Sequence, residues 1–197
     1  FNGDGLDYPG VIAGADKKTT RIALQTPRQP GTESALHTVL GLGISRGERM
    51  DYAIQKSTEL GVSVLVPLFT EHCEVKLNAE RLDKRLEHWR QIVISACEQC
   101  GRAALPLVET PQSLSSWVGS NPAGLKLLFD HTQAAGLPAE RPRDGVALLI
   151  GPEGGLSAAE IELALGAGFS GIALGSRILR TETAPVAALS VLQYLWS

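Results

Sequence analysis

The sequence predicts an α/β fold organised on a parallel sheet. Two runs in the last third carry that prediction most directly: Leu148-Leu149-Ile150-Gly151-Pro152-Glu153-Gly154-Gly155-Leu156-Ser157 and Leu174-Gly175-Ser176-Arg177-Ile178-Leu179-Arg180-Thr181-Glu182-Thr183-Ala184. Each reads as a buried strand that runs into a tight loop and then a helix. Residues 146–150 are continuously apolar and end at Gly and Pro, as in a strand covered on both faces. The upstream chain supplies a third observation, since short apolar runs there alternate with stretches of helical periodicity.

The elements follow in order. Residues 11–13 and 22–24 read as short strands joined by the polar turn 16–19, and a pair of strands alone is marginal in water. The chain opens on Phe1, and residues 1–25 are expected to be the end of something larger. Residues 26–33, with Pro27, Pro30 and Gly31, have linker composition, which divides the chain into a β-rich module over 1–30 and a main domain over 31–197. In the main domain a strand is expected at 38–44, a helix at 50–60 stopped by Gly61, and a second buried strand at 62–69. A long helix at 78–100 places Leu82, Leu86, Trp89, Ile92, Val93 and Ala96 on one apolar face and Arg81, Lys84, Arg85 and Arg90 on the other. Gly101 caps it and is expected to project Arg102 outward. Strands at 105–108 and 125–129 flank a helix at 113–119, the second ending in Asp130-His131. Ser157 and Glu160 form a capping box ahead of Ala158, Ile161 and Leu165. After a strand at 172–174, Pro185 sits where only the first turn of a helix tolerates it.

In such a sheet, ligands bind at the carboxyl ends of the strands. Gly151, Gly154 and Gly155 remove side chains, so a flat ligand such as an adenine ring can lie against backbone groups. The Gly-x-Gly-x-x-Gly spacing is missing and no Gly-Lys-Ser/Thr follows, which argues against a phosphate cradle. The second loop carries Arg177, Arg180 and Glu182 within six residues. Arg46, Arg49 and Lys56 lie at the end of the first main-domain strand or on the next helix, and suit either a solvated face or phosphate contact. Cys97-Glu98-Gln99-Cys100 sits at a helix C-terminus and no second pair exists, so neither a redox dithiol nor a zinc site is expected. Three cysteines without secreted-scaffold density and no membrane-length apolar run point to a soluble cytoplasmic protein with reduced thiols. The net charge of −3 lacks the basic footprint usual for nucleic-acid binding, although arginines shared across a cleft create a local positive field.

The runs IGPEGGLS and LGSRILRTETA, with SRGERMDYAIQKSTELGVSVLVPLF at 45–69 and ACEQCGR at 96–102, resemble the RsmE family of SPOUT methyltransferases. The resemblance covers most of the chain from about residue 36. It implies a SPOUT-type parallel sheet with a C-terminal trefoil knot, preceded by a partial PUA-like β-barrel, and a homodimer as the active unit. It also implies methylation of N3 of a uridine in 16S ribosomal RNA of the small ribosomal subunit, with S-adenosylmethionine (SAM) as methyl donor and no metal. By this resemblance the cofactor is held by Phe129, Ile150, Gly151, Pro152, Glu153, Gly154, Gly155, Leu174, Gly175, Ile178, Leu179, Thr183 and Ala184. RNA contacts fall to Arg46, Arg49, Lys56, Glu98, Gln99 and Arg177. Glu98, Gln99 and Arg102 belong to the family's EQxGR motif, placed near the substrate pocket.

N3 of uridine is protonated at neutral pH, so methyl transfer requires proton removal and stabilisation of the anionic base. Arginines suit the second task. Arg180 or Arg102 is expected to face the uracil carbonyls or a nearby phosphate, with Glu182 orienting an arginine or accepting the proton. The rivals are a non-catalytic SAM- or RNA-binding module and a thiol oxidoreductase; the second requires a depressed thiol pKa at Cys97 or Cys100. The final helix, rich in Val186, Leu189, Val191, Leu192, Leu195 and Trp196, suits either a dimer contact or a buried core helix.

Overall fold

The structure is a computed structural model and describes residues 1–74, 79–120, 123–130 and 137–196. Asn78 and His131, singled out above, lie outside the described residues. The main body is a seven-stranded parallel sheet in the order β5-β4-β3-β8-β7-β9, with β6 also paired to β4. Its strands are β3 (Thr38–Gly43), β4 (Val64–Phe69), β5 (Leu107–Val108), β6 (Gln112–Ser113), β7 (Leu125–Phe129), β8 (Val146–Ile150) and β9 (Ser170–Ile172). β8 lies between β3 and β7, and all five of its residues are buried. This is why its sequence is an unbroken apolar run rather than an alternating one.

Two cores sandwich the sheet. Val146, Leu148 and Ile150 face one core together with α1 (Gly47–Glu59), α2 (Ala79–Cys100) and α5 (Thr183–Trp196). Ala147 and Leu149 face the other, with Leu114, Trp117 and Val118 of α3 (Leu114–Ser120) and Ala164 of α4 (Ala158–Gly166). Each fully buried Leu or Ile contributes about 1.5–3 kcal/mol, so the period-two split of β8 anchors both layers at once. On α2 the expected stripe is inward: Leu86, Trp89, Val93 and Ala96 are buried, and Leu82 and Ile92 partly so. Among the described residues no helix is long and apolar enough to cross a membrane.

Three local expectations are corrected. β9 ends at Ile172, its last partner being Phe129, so Leu174 and Gly175 belong to the following loop rather than to a strand. On α4 the buried side chain is Ala164, and Leu165 is exposed. The third concerns Arg102, which does not project outward. Gly101 does cap α2 in the left-handed region (φ 80°), but the turn sends Arg102 inward, where only 7% of it is exposed. Its Nη1 donates to the carbonyls of Thr58 and Val62 at the end of α1, both at 2.9 Å. Its Nε and Nη2 donate to Glu33 at 3.0 and 2.8 Å, and Glu33 also accepts from the Ala104 N–H. A guanidinium out of water needs this degree of pairing.

The N-terminal segment forms an antiparallel hairpin of β1 (Gly10–Ala15) and β2 (Thr20–Leu24), closed by Asp16 accepting from the Lys18 and Thr19 N–H groups. Val11, Ile12, Ile22 and Leu24 are each more than half exposed. Backbone bonds from Gly5 to Ala103 and from Leu105 to Gly3 tie the segment to the turn after α2, beside Arg102.

Replacing Arg102 with Ala removes four hydrogen bonds and takes the paired cation from Glu33. Urea unfolding is expected to show a loss of about 2 kcal/mol. An unchanged midpoint would contradict the buried clasp.

Candidate functional site

A cleft of about 660 Å³ opens at the carboxyl ends of β7, β8 and β9. One wall is the loop after β8, residues 150–156, and the other is the segment 173–182 after β9. Phe129 and Asp130 at the end of β7 close the floor, Ile161 enters from α4, Ala184 from α5 and Arg49 from α1. The β8 loop is a tight turn, with the Gly155 N–H donating to the Pro152 carbonyl at 2.9 Å and Gly155 in the left-handed region (φ 70°). The capping box then starts α4: Glu160 N–H donates to Ser157 Oγ, and Ser157 N–H donates to Glu160 Oε2.

The two walls are joined by a buried hydroxyl relay. Thr181 Oγ1 donates to the Gly151 carbonyl at 3.1 Å and lies 3.0 Å from Ser45 Oγ, which follows β3. Both side chains are buried. Beneath them β3 approaches the loop closely: a Cβ on Gly43 would lie 2.5 Å from Pro152, so that position admits only glycine. Glu153 serves as the start of α1 from across the sheet, accepting the Arg46 N–H at 3.0 Å and Arg49 Nη1 at 3.4 Å. Burial pushes the Glu153 carboxyl up, but the Arg46 N–H, its own N–H, the Ser45 hydroxyl and Arg49 outweigh it and hold the pKa below the ordinary value.

The charged groups of the second wall are differently disposed. Glu182 is largely buried, and its Oε2 has no hydrogen-bond partner among the described residues. Arg180 is 77% exposed at the mouth, with Nη1 3.9 Å from Glu182 Oε1. Arg177 is also exposed on the rim. The arrangement is a cleft lined by glycines, apolar side chains and charged groups, with one orphaned buried carboxylate oxygen and exposed guanidinium groups at its edge. It can hold a flat ligand and accept a proton at its mouth.

Comparison with known proteins defines the family. A model described as RNA methyltransferase domain matches residues 32–193. Ribosomal RNA small subunit methyltransferase E of Buchnera aphidicola subsp. Schizaphis graminum is 38% identical over 98% of this chain and 79% of its own length. The chain belongs to the ribosomal RNA small subunit methyltransferase E family. Among solved structures, a Legionella pneumophila methyltransferase described as putative, in complex with SAM, superposes with a TM-score of 0.92 at 42% identity, over all of this chain and 81% of that one. Methyltransferase E from Neisseria gonorrhoeae bound to S-adenosyl methionine gives 0.92 at 38% identity, again over 100% and 81%. The chain thus spans about four fifths of the length of these relatives.

The cleft gathers most of the expected residues. Phe129, Ile150, Gly151, Pro152, Glu153, Gly154, Gly155, Leu174, Gly175, Ile178, Leu179 and Ala184 all line it, whereas Thr183 is exposed and outside the lining. Of the residues expected on RNA, Arg49 and Arg177 line it and the others do not. Arg46 pairs with Glu74 at 2.6 Å, and Lys56 with Glu59 in its own helix at 2.7 Å. Glu98 and Gln99 are exposed at the far end of α2. Arg102, expected as a catalytic group, is buried away from the cleft, because two of its hydrogen bonds go to carbonyls at the end of α1 and two to Glu33. Asp130 lies at the carboxyl end of β7, where sheet logic puts a third loop of the site, whereas Leu156, Ile161, Ala173 and Thr181 were not among the expected residues. Thr181 carried a usable signal, a hydroxyl between two charged residues in a loop crossing a second loop. The thiol reading fails on chemistry: burial pushes the Cys97 thiol up to about 11, the opposite of an activated nucleophile.

The lowered Glu153 pKa predicts a pH dependence. Stability contributed by this group is complete above the ordinary glutamate value and is lost as pH falls through the folded one. The stability advantage of wild type over Glu153→Gln should therefore shrink on acidification from pH 6 toward pH 3, measured by urea unfolding. A constant difference would contradict the assignment.

Proposed function

We propose that this chain catalyses SAM-dependent methylation of N3 of a uridine in 16S ribosomal RNA. The observation that carries the reading is the joined pair of loops around one cleft lined by Glu182 and Arg180, in a chain of the methyltransferase E family. The residues fit the cofactor. A cleft of about 660 Å³ is in the range that encloses a nucleoside-sized ligand, and glycines and apolar residues are prominent in its walls at 150–156 and 173–179. Gly151 to Leu156 would hold the adenosine end, with Leu174, Ile178 and Leu179 covering it. The lining balances three carboxylates, Asp130, Glu153 and Glu182, against three arginines, Arg49, Arg177 and Arg180.

Bound there, SAM supplies a methyl group already activated on a sulfonium. The chain's own residues do the rest. Glu182, which lines the cleft and whose Oε1 lies near Arg180, accepts the N3 proton of the uracil. Arg180, exposed and otherwise unbonded, donates to the uracil carbonyl oxygens as negative charge develops on the base. Arg177 and Arg49 at the rim contact neighbouring phosphates. The Thr181 relay ties the two walls together, so the residues that would hold the cofactor and the base are positioned in advance.

The finer architecture follows the same reading. Residues 177–182 pass against Gly151 before α5 returns to pack on α1, which supports a trefoil knot formed by the C-terminal segment. Tyr194 and Leu195 at the end of α5 are 90% and 47% exposed, which supports a homodimer that covers them. The apolar exposed hairpin over 10–24 supports a PUA-like module on the RNA side of the boundary near residue 30. Action on the ribosome's small subunit implies a cytoplasmic protein.

The test is methyl transfer from labelled SAM to small ribosomal subunits lacking the modification, followed by nucleoside mass spectrometry. The expected product is 3-methyluridine, with kcat reduced about 100-fold or more in Glu182→Gln and in Arg180→Ala. Cofactor binding without any transfer would instead mark a non-catalytic module. Label in another nucleoside would overturn the uridine assignment.

A further inference from the structure

Outside the cleft, the residues after β4 form a strap across the back of the β8 loop. The Glu71 N–H donates to Glu160 Oε1 at 2.8 Å, so one carboxylate caps α4 with one oxygen and holds the strap with the other. Cys73 Sγ lies 3.4 Å from the Ile44 carbonyl, and Glu74 pairs with Arg46. Between these anchors His72 Nδ1 lies 3.0 Å from the Gly154 carbonyl and 3.3 Å from the Gly155 carbonyl. Carbonyl oxygens only accept, so Nδ1 must carry the proton.

The approach also explains Gly154. A Cβ there would lie 2.8 Å from His72 Cβ, so this glycine makes room for the strap and not for a ligand in the cleft. A trans peptide points its C=O and the next N–H in opposite directions. With the Gly155 carbonyl turned to His72, the Leu156 N–H faces away from the strap, beside Gly151, and has no protein acceptor among the described residues. The imidazole therefore sets which polar groups the turn presents on its cleft side.

We propose that His72 is a positioning residue for the cofactor, holding the Gly154-Gly155 turn in the orientation that binds SAM without touching it. The inference rests on the cofactor reading given above. It assigns cofactor affinity to a side chain in a loop on the opposite surface of the turn from the ligand.

The experiment is isothermal titration of S-adenosylhomocysteine into wild type, His72→Ala and His72→Asn, with amide exchange at 154–156 measured without ligand. Asn carries an N–H donor at the same distance from its Cβ as His Nδ1. A loss of about tenfold in affinity for His72→Ala is expected, from two shared hydrogen bonds. Exchange at 154–156 should be faster in that variant, and His72→Asn should recover most of both. At saturating SAM, kcat should change less than twofold while KM for SAM rises with Kd. Unchanged affinity in a folded His72→Ala, or a His72→Asn as weak as the alanine variant, overturns the proposal. Should His72→Ala unfold, His72→Asn against wild type decides it through amide exchange. No binding by wild type would instead overturn the cofactor reading itself.

Discussion

The buried contact from Thr181 to the Gly151 carbonyl, backed by Ser45, is the constraint on which the rest of the site depends. Three segments far apart in sequence converge there, with separations of 30 and 136 residues. Each hydroxyl bond contributes only about 1 kcal/mol net, but an unpaired buried partner costs more, so the three loops are strongly biased to one arrangement. Glu153 adds a second cross-sheet tie by accepting the N–H of Arg46 at the head of α1. With both in place the cleft walls are spaced by the fold rather than by a ligand. Such preorganisation lowers the ordering cost of binding.

Local signals made much of this legible. The capping box at Ser157 and Glu160, the bounds of β7 and β8, and the apolar stripe of α2 each depend on residues within a few positions of one another. The gathering of the two glycine- and arginine-bearing loops also followed from sheet logic, since both leave the carboxyl ends of strands. The resemblance to a methyltransferase family supplied the ligand and the RNA, which periodicity and spacing do not contain.

The misreadings share a cause. Gly101 announces where α2 stops, but the direction of Arg102 is decided by Glu33, 69 residues away, and by the carbonyls at the end of α1. Gly154 lines the cleft as expected, but the close neighbour that demands a glycine there is His72, 82 residues away. In both cases a local feature was read correctly and its partner came from a remote loop. The charges at Arg180 and Glu182 likewise drew attention from Thr181, whose uncharged hydroxyl joins the walls.

The central claim is that the cofactor lies between the two joined loops, and a crystal structure with S-adenosylhomocysteine tests it most directly. The account predicts ligand density against the backbone of 150–156 on one side and 173–179 on the other, with Thr181 still bonded to Gly151. Density elsewhere on the sheet edge, or loops that separate to admit the ligand, would contradict it.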